Sequence, residues 1–249
     1  MIVANERDTS RSELTAFFES VPLNNRNSIG LMGGWAVNAL LENRGIQHIG
    51  SRDIDIFFNP QQIQYQSVIT LIQNRRFREH STFRWVKYFS VQSGNELSEA
   101  EAANVPQFDL LNIFIDVAAP ANLDHVLCEP LLSQVFAGKN EFYTTPNLRI
   151  LIPDPEIMAM IKIKSATERV DSFKREKDIA DLLMLVRNIN ALWQLNNGVR
   201  VSLRTSLRTP SLDVLKASIA RFQLDGTLRN ACDAIGLEIN AAISILRTM

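Results

Sequence analysis

Apolar residues in the first 150 positions come in short alternating or continuous runs, and beyond that they recur at spacings of three and four. Leu14, Phe17 and Phe18 share one helical face, behind a Ser10-Arg11-Ser12-Glu13 capping-box pattern. Residues 28–32 predict a short buried strand that breaks at Gly33-Gly34, and residues 35–42 then take the helical period. Residues 53–58 alternate as a strand and stop at Asn59-Pro60, and residues 61–75 are helical with Ile63, Ser67, Ile69, Leu71 and Ile72 mostly facing inward. Residues 83–91 and 108–118 are rich in β-branched and aromatic side chains and predict two more strands, with the polar, acidic stretch 94–106 between them a surface loop.

Past Pro120 the helical signal dominates. Residues 122–135 predict one helix, and 141–143 and 148–152 two short strands. Pro153-Asp154-Pro155 opens a long helix, since proline lacks only an N–H that would be unpaired in a first turn. The pattern stays helical from 157 to 195, pauses at Asn196-Asn197-Gly198, and resumes to the end. Strands first and helices later predict an α/β (α+β) protein: a mixed sheet flanked by helices over residues 1–152, then a helical domain over 153–249.

Composition narrows the function. A chain of 249 residues can bury about 70% of its unfolded surface. Its 46% apolar and 21% charged residues are ordinary for a globular protein and exclude a disordered or fibrous one. The 26 basic and 27 acidic side chains exclude a wholly electrostatic nucleic-acid binder. Two cysteines and three histidines argue against a disulfide framework or a Cys/His zinc site. The N-terminus lacks the layout of a signal peptide, and the longest nearly uncharged stretch, 28–41, is too short to cross a bilayer, so the expectation is a soluble, cytoplasmic protein without a membrane partner.

Charge is uneven, however. Residues 196–249 hold seven basic groups against four acidic ones, and Arg200, Arg204 and Arg208 would form one stripe on a helix. A tRNA or DNA backbone would suit that stripe, and so would bulk water. Residues 227–247 faintly resemble a helix-turn-helix, and a plain helical hairpin explains them equally well.

Two segments carry the candidate chemistry. Asp53 and Asp55 are two apart on a strand and project to one face, while Ile54 and Ile56 go to the other. Neighbouring carboxylates repel, and a hard divalent cation such as Mg²⁺ or Mn²⁺ would remove the conflict. A strand running through Gly33-Gly34 into a helix places backbone N–H groups at a positive helix end, which suits a phosphate. A third carboxylate could come from Asp109 or Asp116, which lie an odd number of residues apart and so face opposite ways; Asp116 sits in the better strand. Farther on, Asp178 and Asp181 share a helical face within reach of Lys174 and Lys177, which alone reads as a solvated ion-paired surface.

A hydrophobic strand, Gly33-Gly34 and then Asp53-Ile54-Asp55 resemble the nucleotidyltransferase superfamily, and the Gly33-Gly34-Trp35-Ala36-Val37-Asn38 wording resembles its lincosamide and aminoglycoside members. Lys162, Arg169 and Lys174-Arg175-Glu176-Lys177-Asp178 with Asp181-Leu182 are similar to helices of the abortive-infection and type IV toxin members. The resemblance spans residues 29–186. It implies a nucleotidyltransferase-like sheet, metal held by Asp53, Asp55 and Asp116, nucleotide contacts from Gly33, Gly34, Ser51 and Lys162, and Asp178 as an orienting or proton-accepting group. It also implies Mg²⁺ or Mn²⁺ as cofactor, and an NTP whose NMP passes to a hydroxyl with release of pyrophosphate. The acceptor would be a small molecule, as in antibiotic resistance, or tRNA or protein, as in a toxin with an antitoxin partner; an inert nucleotide-binding relative is the third reading. Relatives usually carry an Arg four residues before the first aspartate, where this chain has Ile49; the adjacent Arg52 should point away from the carboxylates.

Overall fold

Four consecutive buried residues, Ile29–Met32, form β1 at the middle of a sheet, and the glycine that follows turns the chain directly into helix α2, Gly33–Glu42. This architecture is seen in a computed structural model that describes residues 6–188 and 210–249. It comprises a mixed α/β sheet with helices, followed by a helical C-terminal region, as the sequence predicts. The chain divides into two compact units: residues up to Leu40 with His48–Pro153, and Leu41–Gln47 with the residues from Asp154 on.

Among the described residues, the first unit holds nine strands: β1, β2 (Ile54–Phe58), β3 (Arg78–Ser81), β4 (Arg84–Ser90), β5 (Glu96–Leu97), β6 (Leu110–Ala119), β7 (Leu127–Cys128), β8 (Asn140–Thr144) and β9 (Arg149–Pro153). Their order is β3-β4-β6-β2-β1-β9-β8, with β5 beside β4 and β7 beside β6. The β2–β6 and β1–β9 pairs are parallel, while β1–β2, β4–β6 and β8–β9 are antiparallel. Ile54, Ile56, Ile113, Ile115 and Val117 are fully buried on one face of the central strands. Helix α1 (Glu6–Ser20) covers that face, where its Glu13 binds the Lys87 ammonium of β4 at 3.0 Å. Gly30 of β1 admits no side chain, because a Cβ there would meet the Phe57 ring and the Leu151 carbonyl.

Several local expectations change. Helix α1 begins at Glu6, so Ser10 lies inside it and caps nothing; its hydroxyl donates to the Arg52 carbonyl at 2.7 Å instead. Residues 61–75 shorten to α3, Tyr65–Asn74. Stretch 94–106 holds β5 and a short helix, α4 (Glu99–Ala102), started by a Ser98–Glu101 capping box. The helix expected over 122–135 is absent. Its middle pairs with the sheet as β7, the Glu129 N–H donates to the Ala119 carbonyl, and only α5 (Leu132–Phe136), past Pro130, is helical.

The second unit contains α6 (Pro155–Glu168), α7 (Ser172–Asn188), α8 (Pro210–Leu224), α9 (Thr227–Ile235) and α10 (Ile239–Thr248). The helix expected from 157 onward is interrupted between α6 and α7. Gly236, at φ +60°, closes α9 before α10, so residues 227–247 form a helical pair. The pause at Asn196-Asn197-Gly198 and the Arg200, Arg204 and Arg208 stripe lie outside the described residues. Among the described residues, no helix is long and apolar enough to cross a membrane.

Asp154 caps α6 by accepting the Ile157 N–H at 2.8 Å, with Pro155 at the first helical position. Asp154→Ala should cost about 1 kcal/mol, measured by urea denaturation. A loss below about 0.3 kcal/mol would mean that water serves this helix end as well as the carboxylate does.

Candidate active site

Register brings the acidic residues together. In the parallel β2–β6 pair Asp55 lies directly beside Asp116, and in the antiparallel β4–β6 pair Arg84 lies directly opposite Asp116. Cross-strand partners share a face, so Asp55, Asp116 and Arg84 project together on the side of the sheet away from α1. Asp53 stands just before β2, on the same side. Asp109 lies in a turn ahead of β6, roughly 20 Å along the chain from Asp116 in extended backbone, and is not part of this group.

Arg84 grips Asp116 with both arms of its guanidinium. Nε to Oδ1 is 2.7 Å and an η nitrogen to Oδ2 is 2.5 Å, and the same nitrogen stands 3.9 Å from Asp53. The ring of Phe114, two residues before Asp116 on the same face, lies under the guanidinium at 4.9 Å. The hydrogen bond to Asp116 raises the Arg84 pKa above its ordinary value against the opposing effect of burial, and the charges of Asp116, Asp53 and Asp55 add to it. Arg52 does not point away as expected: its Nε reaches Asp53 at 3.3 Å. Ile49 is half exposed at 52%. Sequence reading missed Arg84, whose role depends on a cross-strand register that composition does not disclose.

The glycine pair abuts these carboxylates. Gly33 adopts φ +67°, and a Cβ on it would land on the Asp55 carboxylate. Helix α2 starts there, so its first N–H groups open beside Asp55. Ser51 is buried in the segment leading to Asp53. That segment is pinned by a relay in which Trp35 Nε1 donates to the fully buried Ser10 hydroxyl at 2.9 Å and Ser10 donates to the Arg52 carbonyl.

Could these residues hold the expected metal? Among the described residues, no three His, Cys, Asp or Glu side chains converge so as to bind an ion. Both Asp116 oxygens are engaged by Arg84, and Asp53 is flanked by two guanidinium groups. As arranged, Asp53, Asp55 and Asp116 therefore do not fit Mg²⁺ or Mn²⁺.

Lys162 and Asp178 lie in the second unit, and Lys162 is not the open phosphate-contacting cation that was expected. Its ammonium, on α6, is buried (4% exposed) and bridges Asp178 at 2.7 Å and Asp181 at 2.6 Å, both on α7. Arg169 completes the group, with Nε 2.5 Å from Asp178. Asp178 and Asp181 are thus a buried ion-pair centre joining two helices, and not a solvated face. Burial alone would lower the Lys162 pKa, but the two carboxylates outweigh it and hold it above the ordinary lysine value.

A cavity of about 240 Å³ in the first unit is lined by Leu14, Leu31, Trp35, Asn38, Tyr143 and Ile150, among others. Leu31 pairs with Ile56, which points away from Asp55, so this cavity opens on the α1 side of the sheet, opposite the carboxylates.

No family model matches the chain, and no curated protein does. Among solved structures, it is similar to an antigenic nucleotidyltransferase-like protein from Paracoccidioides brasiliensis, at 16% identity and a TM-score of 0.43, over 79% of this chain and 93% of that one.

Proposed function

We propose that the protein transfers a nucleotidyl group from an NTP to a hydroxyl of a small-molecule acceptor. The observation that carries this reading is the side-by-side placement of Asp55 and Asp116 on adjacent parallel strands, against the glycine that opens α2. The resemblance of the Gly33-Gly34-Trp35 segment to small-molecule nucleotidyltransferases supports the choice of acceptor.

The α2 N-terminus would take the phosphates through its first N–H groups and its positive end. Arg84 and Arg52 supply positive charge beside the acids. The acceptor oxygen attacks the α-phosphorus and forms a P–O bond. The bond from that phosphorus to the bridging oxygen breaks, and pyrophosphate leaves with the electron pair. In this reading Asp53 would accept the hydroxyl proton, since its side chain is 19% exposed against 10% for Asp116. Positioning of this kind supplies a large share of such a rate enhancement.

Titrating each of the four NTPs in Mg²⁺-containing buffer into wild type and into the Asp53→Ala/Asp55→Ala variant tests the reading. At least one NTP should bind the wild type, and at least tenfold more weakly the double variant. If none binds the wild type, nucleotidyl transfer is wrong for this site.

A further inference from the structure

Three carboxylates on one face of adjacent strands need a counter-charge, because like charges this close cannot all stay ionised without one. Here the counter-charge is part of the chain. Arg84 sits at the cross-strand position facing Asp116, and the planar fork of a guanidinium matches a carboxylate in the two-bond geometry observed, 2.7 and 2.5 Å. Its reach of 3.9 Å to Asp53 spreads the charge over a second acid, and Phe114 beneath it limits movement deeper into the sheet. Its remaining direction of movement is outward, where its side chain is already 22% exposed.

We propose that Arg84 is the resident counter-ion of the Asp53–Asp55–Asp116 cluster, and that the Arg84 guanidinium and a divalent cation are mutually exclusive occupants of it. A guanidinium does not lose its proton in the range where proteins fold, so its charge cannot be titrated away. A divalent cation bound to Asp116 and Asp53 would stand within a few ångströms of that fixed positive charge. The cation can enter only when the guanidinium swings off Asp116, and the free energy of the two-bond pair is subtracted from the cation's affinity. The identity of the competing cation rests on the nucleotidyl-transfer reading, whereas the competition does not.

Isothermal titration of Mn²⁺ without nucleotide, on wild type, Arg84→Gln, Arg84→Lys and Arg84→Gln/Asp116→Asn, tests it. Arg84→Gln should bind Mn²⁺ at least tenfold more tightly than wild type. Arg84→Lys, which keeps the charge and loses the fork, should fall between the two, and adding Asp116→Asn should cancel the gain. Equal affinity in wild type and Arg84→Gln overturns the proposal, whether both bind or neither does. So does a gain that survives Asp116→Asn. Should Arg84→Gln not fold, by circular dichroism, Arg84→Lys against wild type decides by the same comparison. Because no nucleotide is present, this titration can fail while the NTP titration succeeds, and the reverse.

Discussion

Lys162→Met should lower the stability of the protein by about 3–5 kcal/mol, and its melting temperature by roughly 10 °C. The methionine fills most of the space of the lysine stem, so the loss is electrostatic. Asp178 and Asp181, 3% and 1% exposed, would lose the ammonium that bridges them, and Arg169 reaches Asp178. Since the lysine pKa is raised in the folded protein, the contribution of Lys162 is fully present below the unfolded value of about 10.4 and fades as pH rises through the higher folded one. The difference between wild type and variant should therefore be flat between about pH 6 and 9. Replacing the acids as well, by Asp178→Leu/Asp181→Leu on the Lys162→Met background, should recover much of the loss, because the centre becomes apolar and Arg169, 40% exposed, can turn to water. A Lys162→Met loss under about 1 kcal/mol in guanidinium unfolding would show that the ammonium is not enclosed between α6 and α7.

Gly33→Ala should be strongly damaging. Two costs combine: a left-handed backbone that alanine resists by about 1–2 kcal/mol, and a Cβ occupying the place of the Asp55 carboxylate. Either the turn into α2 opens or Asp55 moves off its register with Asp116, and both outcomes should abolish the NTP binding expected of the wild type. Gly45→Ala separates the costs, since Gly45 has φ +72° with nothing within 4 Å of the added methyl. That control should lose only about 1 kcal/mol and keep nucleotide binding. Equal behaviour of the two variants would mean that the contact between Gly33 and Asp55 does not matter.

The sequence disclosed whatever depends on one strand or helix at a time. Two-residue parity put Asp53 and Asp55 on one face, and an unbroken apolar run marked β1. Features that depend on pairing were hidden. Strand β3, Arg-Glu-His-Ser, is exposed throughout and carries no apolar signal; its hydrogen bonds to β4 make it a strand. Parity could say that Asp109 and Asp116 face opposite ways, but not which one neighbours Asp55, because that follows from the β2–β6 register. Arg84 was invisible for the same reason. Residues 122–135 have helical spacing, yet sheet hydrogen bonds at Leu127 and Cys128 win where Pro130 limits the helix. Lys162 is the opposite case, a charged residue in a helix whose neighbours at Asp178 and Asp181 come from the next helix.

The seam between β2 and β6 has a consequence for how the protein should be assayed. Its register buries Ile54 against Ile115 and Ile56 against Val117, and the same register sets Asp55 beside Asp116. A slip of one residue would exchange the faces of β2, driving a carboxylate into the core and an isoleucine into the place of Asp55. The acids therefore inherit their alignment from hydrophobic burial, and a chain that has assembled this seam has assembled its chemistry. Slow amide exchange along Ile54–Phe58 would serve as a ligand-free gauge of how many molecules in a preparation carry an intact site.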